Sequence, residues 1–315
     1  MAYRLKLRKP LEASVRRILA EQGKRASAAL TGSADLVAAV HDARRALKRM
    51  RALLRLVREG LGDDTWRAEN AALRDVGRRL SGLRDADVGR QTIDALTTDA
   101  PAALRTALGK LAAMLGKEVS PDPDERRHVL ASAAHDLTAV GSRLATSTLN
   151  GADIDILAAG LEAAHRRGRR ALEQAEAEGS GDEAMHEVRK AVQAHWRQTN
   201  LLSAAWLDLM KARASEARQL SGLLGTHNDL ALLSLRARAA GGHGLSRAAV
   251  AHIVTSCSAR QDAIREEALP RARRLFAGKP RATAAAIVEA WRATAALPDR
   301  KAPAISGAVA EKSAR

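Results

Sequence analysis

The stretch VHDARRALKRMRALLRL (residues 40–56) holds seven Arg, Lys or His side chains among seventeen residues, and most of the rest are apolar. The two kinds do not alternate, so the segment is not a half-buried strand. On a helix at about 100° per residue, with His41 at 0°, Arg44, Lys48, Arg51 and Arg55 fall at about 300°, 340°, 280° and 320°. All five occupy one arc of about 80°. Leu36, Val40, Ala43, Leu47, Met50, Leu54, Val57 and Leu61 fall between about 160° and 260°. A core stripe and a basic stripe therefore run side by side, and Arg45 and Arg49 widen the basic face. Asp42, the only carboxylate in the stretch, lies outside the stripe. Like charges three and four residues apart repel by a few tenths of a kcal/mol per pair. Two readings stand: a solvated face, or a site that expects an anion.

Apolar residues recur at three- and four-residue spacing nearly everywhere, which predicts an all-α chain of about a dozen helices. Gly, Pro and Asp place breaks between them, including one at Gly225 that separates helices over 209–224 and 226–240. Internal matches recur in order. LEASVRR (11–17) is similar to LEAAHRR (161–167), VHDARRA (40–46) to MHEVRKA (185–191), and RDADV (84–88) to NDLAL (228–232). Duplication of an antiparallel, four-helix-type bundle about a pseudo-twofold axis explains them most simply. The expected units are 1–150 and 151–297, with a disordered tail over 298–315.

The second copy carries a weaker stripe. From His186, Arg189 falls at about 300°, Gln193 at 340°, Arg197 at 20° and Asn200 at 320°, and Lys190 matches Arg45. Gln193 stands where Lys48 was and Asn200 where Arg55 was. His195 occupies the apolar arc, at the position of Met50, and reads as a core histidine. Met185, Val188, Val192 and Trp206 complete that core face.

The charge balance is 52 − 36 = +16, with a sequence pI near 10.9. Such an excess attracts polyanions. Aromatics make up 2% of the chain, which disfavours base stacking as a binding mode. A partner with charge and no bases fits better. A single cysteine, Cys257, excludes an intrachain disulfide. The start shows no signal-peptide h-region and no run reaches the 18 or so apolar residues of a membrane span, so a cytoplasmic protein is expected.

The pair His41-Asp42, like His135-Asp136, raises the thought of an HD-type metal phosphohydrolase. Metal ligands need neutral imidazole and nearby carboxylates, whereas His41 sits among Arg and Lys. No Walker loop, nucleophile elbow or Cys/His cluster is present. No catalytic residue, metal or cofactor is expected.

At the two basic helices the sequence resembles the CHAD family, the conserved histidine α-helical domains. VHDARRALKRMRALLRL and MHEVRKAVQAHWRQTNLL are similar to its two His-x-x-Arg helices. LSGLRDADV and LLGTHNDLALL are similar to its paired turns, with Asn228 where His is more usual, and LPRARRLFAGKPRA (269–282) to the lead into its last helix. The likeness covers about residues 5–297. It implies two four-helix bundles with a basic surface or channel between them, and non-enzymatic binding of inorganic polyphosphate; a granule-scaffold role, coating polyphosphate bodies, is compatible with such binding. The implied site comprises His41, Arg44, Arg45, Lys48, Arg49, Arg51, Arg55, His186, Arg189, Lys190, Gln193 and Arg197.

Polyphosphate offers about one negative charge per phosphate and no base edges. Arg engages two phosphate oxygens with its planar fork, and Lys supplies a point charge. The ladder on residues 41–55 is about 20 Å long at 5.4 Å per turn. Protonated His41 and His186 would tighten binding below about pH 6.5, the other reading being histidines hydrogen-bonded structurally between helices. Arg16, Arg17, Arg166, Arg167, Arg169 and Arg170 are expected at a rim or on a solvated face. Arg84 is expected either to brace Asp85, read as a helix N-cap, or to point into the cavity. The rival reading is a basic helical protein that associates with nucleic acid or ribosomes through charge alone, without sequence specificity.

Overall fold

Residues 3–33, 35–83, 85–116 and 122–298 are described by a computed structural model. Among them the chain forms twelve helices: α1 (Leu11–Gly32), α2 (Leu36–Leu56), α3 (Arg58–Leu61), α4 (Asp63–Gly82), α5 (Asp85–Thr97), α6 (Ala102–Leu115), α7 (Pro123–Thr146), α8 (Asp153–Glu176), α9 (Asp182–Leu201), α10 (Leu207–Ala240), α11 (Arg247–Leu275) and α12 (Pro280–Ala296). The described residues contain no strand, only an isolated bridge between Gly241 and Leu245. The tail beyond residue 298 lies outside them.

Local chemistry sets several helix ends. The Asp35 carboxylate accepts from the Ala38 amide and opens α2, while Ser246 does the same for Ala249 at the start of α11. Pro123 and Pro280 occupy the first helical positions of α7 and α12, where a missing N–H costs nothing. Arg84 and the side chain of Asp85 lie outside the described residues, and the expected cap lies there with them.

Helices α1, α2, α4 and α7 pack around one group, and α8, α9, α10 and α11 around another. The largest apolar core is centred on Ile18, Met50, Leu53, Leu73 and Leu137 of the first group. It also takes in Ile156 and Leu157 of α8 and Trp291 of α12. A second core lies between α8, α9, α10 and α11 around Val188, Val192, Leu220 and Leu275. The third joins α5 and α6 to α10 and α11 through Leu108, Leu111, Leu230 and Ile253. Core packing thus crosses residue 150 in both directions.

Two helices bear on the site. Helix α2 is buried far around its circumference, because Ala46, Leu53 and Leu56 join the expected apolar stripe in the core. It touches α8 and α9 of the other group as well as its own neighbours. The contact with α8 is very close: a Cβ on Gly160 would stand 1.9 Å from the Leu56 carbonyl oxygen. Only glycine permits that approach.

Two expectations need correction. The break at Gly225 is absent, and α10 runs unbroken for 34 residues, about 50 Å at 1.5 Å per residue. Leu220 and Leu224 anchor one side of Gly225 and Leu230 and Leu233 the other, so packing outweighs the roughly 1 kcal/mol that glycine costs a helix. Trp206, expected on the core face, is 61% exposed. Helix α9 ends at Leu201, and the wheel drawn from His186 no longer applies beyond the turn that follows.

Candidate polyanion-binding groove

The two basic helices lie against each other. Gln198 of α9 is buried and its Nε2 sits 3.5 Å from the Ala52 carbonyl of α2. Where they diverge, a groove of about 230 Å³ opens. Arg44, Lys48, Arg51 and Arg55 line it from α2, and His186, Arg189, Lys190, Gln193 and Arg197 from α9. No Asp or Glu lines it among the described residues. Nine of the twelve expected site residues therefore meet at one place, contributed by both halves of the chain.

Neutral oxygens from α4 orient the α2 ladder. The Arg44 guanidinium donates to the Gly77 carbonyl at 3.3 Å and to the Ser81 hydroxyl. Arg51 donates from Nε to Asn70 Oδ1 at 3.1 Å. Such contacts fix the forks without cancelling their charge. Arg51, Arg55 and Arg197 make no ion pair with a carboxylate among the described residues, although paired arginines are common elsewhere, as in Arg143–Glu69 and Arg271–Glu216. Burial lowers the Arg51 pKa, and Arg74 and Arg167 push it the same way. Burial, then Arg51 and Arg167, pull Arg55 down to about 10. Arg197 is 9% exposed, and burial brings it to about 10 as well. These shifts report cations that have lost water; Glu187 offsets the loss only in part at Arg55 and Tyr3 only in part at Arg197, and an incoming anion would supply the missing counter-charge.

The α9 side is partly compensated. Lys190 pairs with Glu187, which Arg167 also engages at 3.2 Å. Burial opposes ionisation of Glu187, yet Lys190 and Arg167 hold it below the ordinary carboxylate range. His186 Nδ1 lies 2.7 Å from Asn228 Oδ1; because that oxygen can only accept, Nδ1 donates. The ring thus has a structural partner and a second nitrogen besides, and it lines the groove.

The remaining expected residues lie elsewhere. His41 is exposed, one turn before Arg44 and Arg45, and does not line the groove. Arg45 and Arg49 face a separate hollow. Arg16 pairs with Glu12 and donates to the Ser147 carbonyl; Arg17 pairs with Glu21. Arg166 pairs with Glu162, and Arg170 is exposed. In the basic run 166–170 it is Arg167 that borders the groove, through Glu187 and its field on Arg51 and Arg55. Asn70, Gly77 and Ser81 carried no signal in the sequence, since neutral side chains on another helix reveal nothing until α4 is placed.

His195 is a core histidine, as expected. Its Nε2 accepts from Arg213 Nε at 2.9 Å, and burial drives its pKa down to about 3. Cys257 is buried and unpaired. No His, Cys, Asp or Glu cluster among the described residues could hold a metal, and no described helix is long and apolar enough to cross a membrane.

Comparisons with known proteins agree with this architecture. The family model described as the CHAD domain matches residues 12–238. The crystal structure of the CHAD domain from the plant Ricinus communis superposes with a TM-score of 0.60 at 20% identity, over 88% of this chain and 94% of that one. PptA from Streptomyces chartreusis superposes with a TM-score of 0.57 at 17% identity, over 84% of this chain and all of that one. At these identities the likeness is one of fold. The search of curated proteins finds no match. With a family model covering more than two thirds of its length, and an all-helical fold shared with that domain, the chain belongs to the CHAD family.

Proposed function

We propose that this protein binds inorganic polyphosphate, without breaking it down, in the groove between α2 and α9. One observation carries the reading: seven Arg and Lys side chains and His186 line a single groove that no carboxylate lines among the described residues. A flexible chain with one charge per phosphate matches that lining. Its oxygens suit the forks of Arg44 and Arg51, already oriented by neutral acceptors. Membership of the CHAD family supports the reading, because the likeness to that family implies a polyphosphate binder. Among the described residues no Ser, Thr, Cys, Asp or Glu lines the groove, which supports a binding role. We further propose that the duplicated His-x-x-Arg helices reflect units over 1–150 and 151–297, and that the protein acts in the cytoplasm, at polyphosphate granules.

The test is a competition at physiological salt. Labelled long-chain polyphosphate is bound, then challenged with duplex DNA at matched charge. Polyphosphate should persist, and the variant Arg44→Ala/Lys48→Ala/Arg51→Ala should lose binding while melting as the wild type does. Displacement by DNA at equal charge would favour a general nucleic-acid-associated protein. Full retention of binding by the folded variant would move the site elsewhere.

A further inference from the structure

A second hollow, of about 430 Å³, lies next to the groove and shares one wall with it. That wall is Arg197, which lines both. On α2 the two sites use different arcs: the groove takes residues between about 280° and 340°, whereas Arg45 and Arg49 stand at about 40° and 80°. The N-terminal segment closes the hollow. Leu5 donates its amide to the Leu201 carbonyl at 2.8 Å, and the Tyr3 hydroxyl donates to the Arg49 carbonyl at 2.8 Å. Arg4 is carried in by that segment, and Lys211 and Arg218 come from α10.

Six cations thus surround one hollow: Arg4, Arg45, Arg49, Arg197, Lys211 and Arg218. Asp42 pairs with Arg45 at 2.5 Å, and Asp208 reaches Lys211 only at 3.8 Å. No carboxylate among the described residues pairs with the other four. Arg49 instead meets Gln22 Oε1 at 3.3 Å and the Tyr3 ring at 5.3 Å. Arg197 donates to the Gln193 carbonyl at 2.8 Å and lies over Trp196 at 5.0 Å. A guanidinium that is nine-tenths buried with only a carbonyl and a ring for company is costly unless an anion joins it. The hollow also differs in kind from the groove. It is built from four parts of the chain, the N-terminal segment, α2, α9 and α10, and its volume falls in the range of small-ligand sites, roughly 300–1,000 Å³.

We propose that this hollow is a second anion site, which takes a compact condensed phosphate of the pyrophosphate or tripolyphosphate class and fills separately from the groove. The four unpaired arginines and Lys211 supply the charge, and Arg197 supplies the buried contact. The proposal stands apart from the groove reading, since it rests on residues that, Arg197 excepted, the groove does not use. Trp196, against Arg197, is a built-in reporter, because a phosphate that draws the guanidinium away changes the indole environment.

The test titrates sodium tripolyphosphate into the Arg44→Ala/Lys48→Ala/Arg51→Ala protein, following heat and tryptophan emission. One equivalent should bind and the emission should change. Adding Arg4→Ala/Lys211→Ala/Arg218→Ala, all exposed positions, should abolish both. Absence of binding in the first variant, or binding undiminished in the second, overturns the proposal. If the combined variants do not fold, the Arg4→Ala/Lys211→Ala/Arg218→Ala protein alone decides. It should bind one tripolyphosphate fewer than the wild type, and an unchanged count overturns the proposal. Failure of the groove reading would register separately, as long-chain binding that survives the first variant.

Discussion

Arg213 donates from Nε to Nε2 of His195 across 2.9 Å, so a permanent cation holds a buried imidazole neutral, with its proton on Nδ1. Burial comes first in lowering the His195 pKa to about 3, and Arg213 and then His165 add to it. In the unfolded chain the group returns to about 6.5. Between those values the unfolded state binds more protons, so stability rises with pH and is lost as pH falls from about 6.5 toward 3. His195→Met restores the residue found at the matching position, Met50. It should lower stability at pH 7, because Arg213 loses an acceptor, yet flatten the decline in melting temperature between pH 7 and pH 5. Burial lowers His165 and His227 in the same direction, and they account for the slope that remains.

Gly160 sets how near α8 comes to α2. Because a Cβ would meet Leu56 backbone atoms at 1.9 and 2.7 Å, no side-chain movement relieves it. Gly160→Ala should cost about 1–3 kcal/mol, the range for overpacking a tight interior. Chemical denaturation measures it, and Gly141→Ala, where nothing lies within 4 Å, should be neutral or slightly stabilising.

Charge and positioning in the groove separate by salt dependence. Each phosphate neutralised contributes about 0.7 to the slope of log affinity against log salt for a single strand. Removing Arg44, Lys48 and Arg51 should therefore reduce the slope by roughly two. Asn70→Ala removes only the acceptor that orients Arg51. It should weaken polyphosphate binding a few-fold and leave the slope unchanged, as read by anisotropy over a salt series.

His186 lines the groove while its Nδ1 is committed to Asn228. The ring is therefore held at the groove wall beside Arg189 and Lys190. His186→Ala should weaken polyphosphate binding a few-fold, as read by anisotropy at fixed salt and pH. The same variant at His41, exposed and outside the groove lining, should change the affinity less.

The helical wheel of residues 40–56 already separated core from charge, because the spacing of side chains on one helix is a local property. Helix α2 buries the expected apolar stripe, and its basic arc lines the groove. The weaker twin at 185–200 and the core placement of His195 were legible for the same reason. Where a reading ran past a helix end, as for Trp206, or weighed one glycine against two packed flanks, as at Gly225, it failed. Both outcomes depend on neighbours that local spacing does not contain.

By itself, then, the sequence determined an all-helical chain and its two basic stripes, the second weaker than the first. Tertiary structure alone decided that the stripes meet across one groove, that α4 orients the forks of Arg44 and Arg51, and that Arg45 and Arg49 turn away into a hollow completed by Arg4, Lys211 and Arg218. The physical reason is that a helix fixes directions only about its own axis. Which directions converge is set by the crossing of helices, and here a glycine-tight contact between α2 and α8 and the packing of α2 on α9 set it.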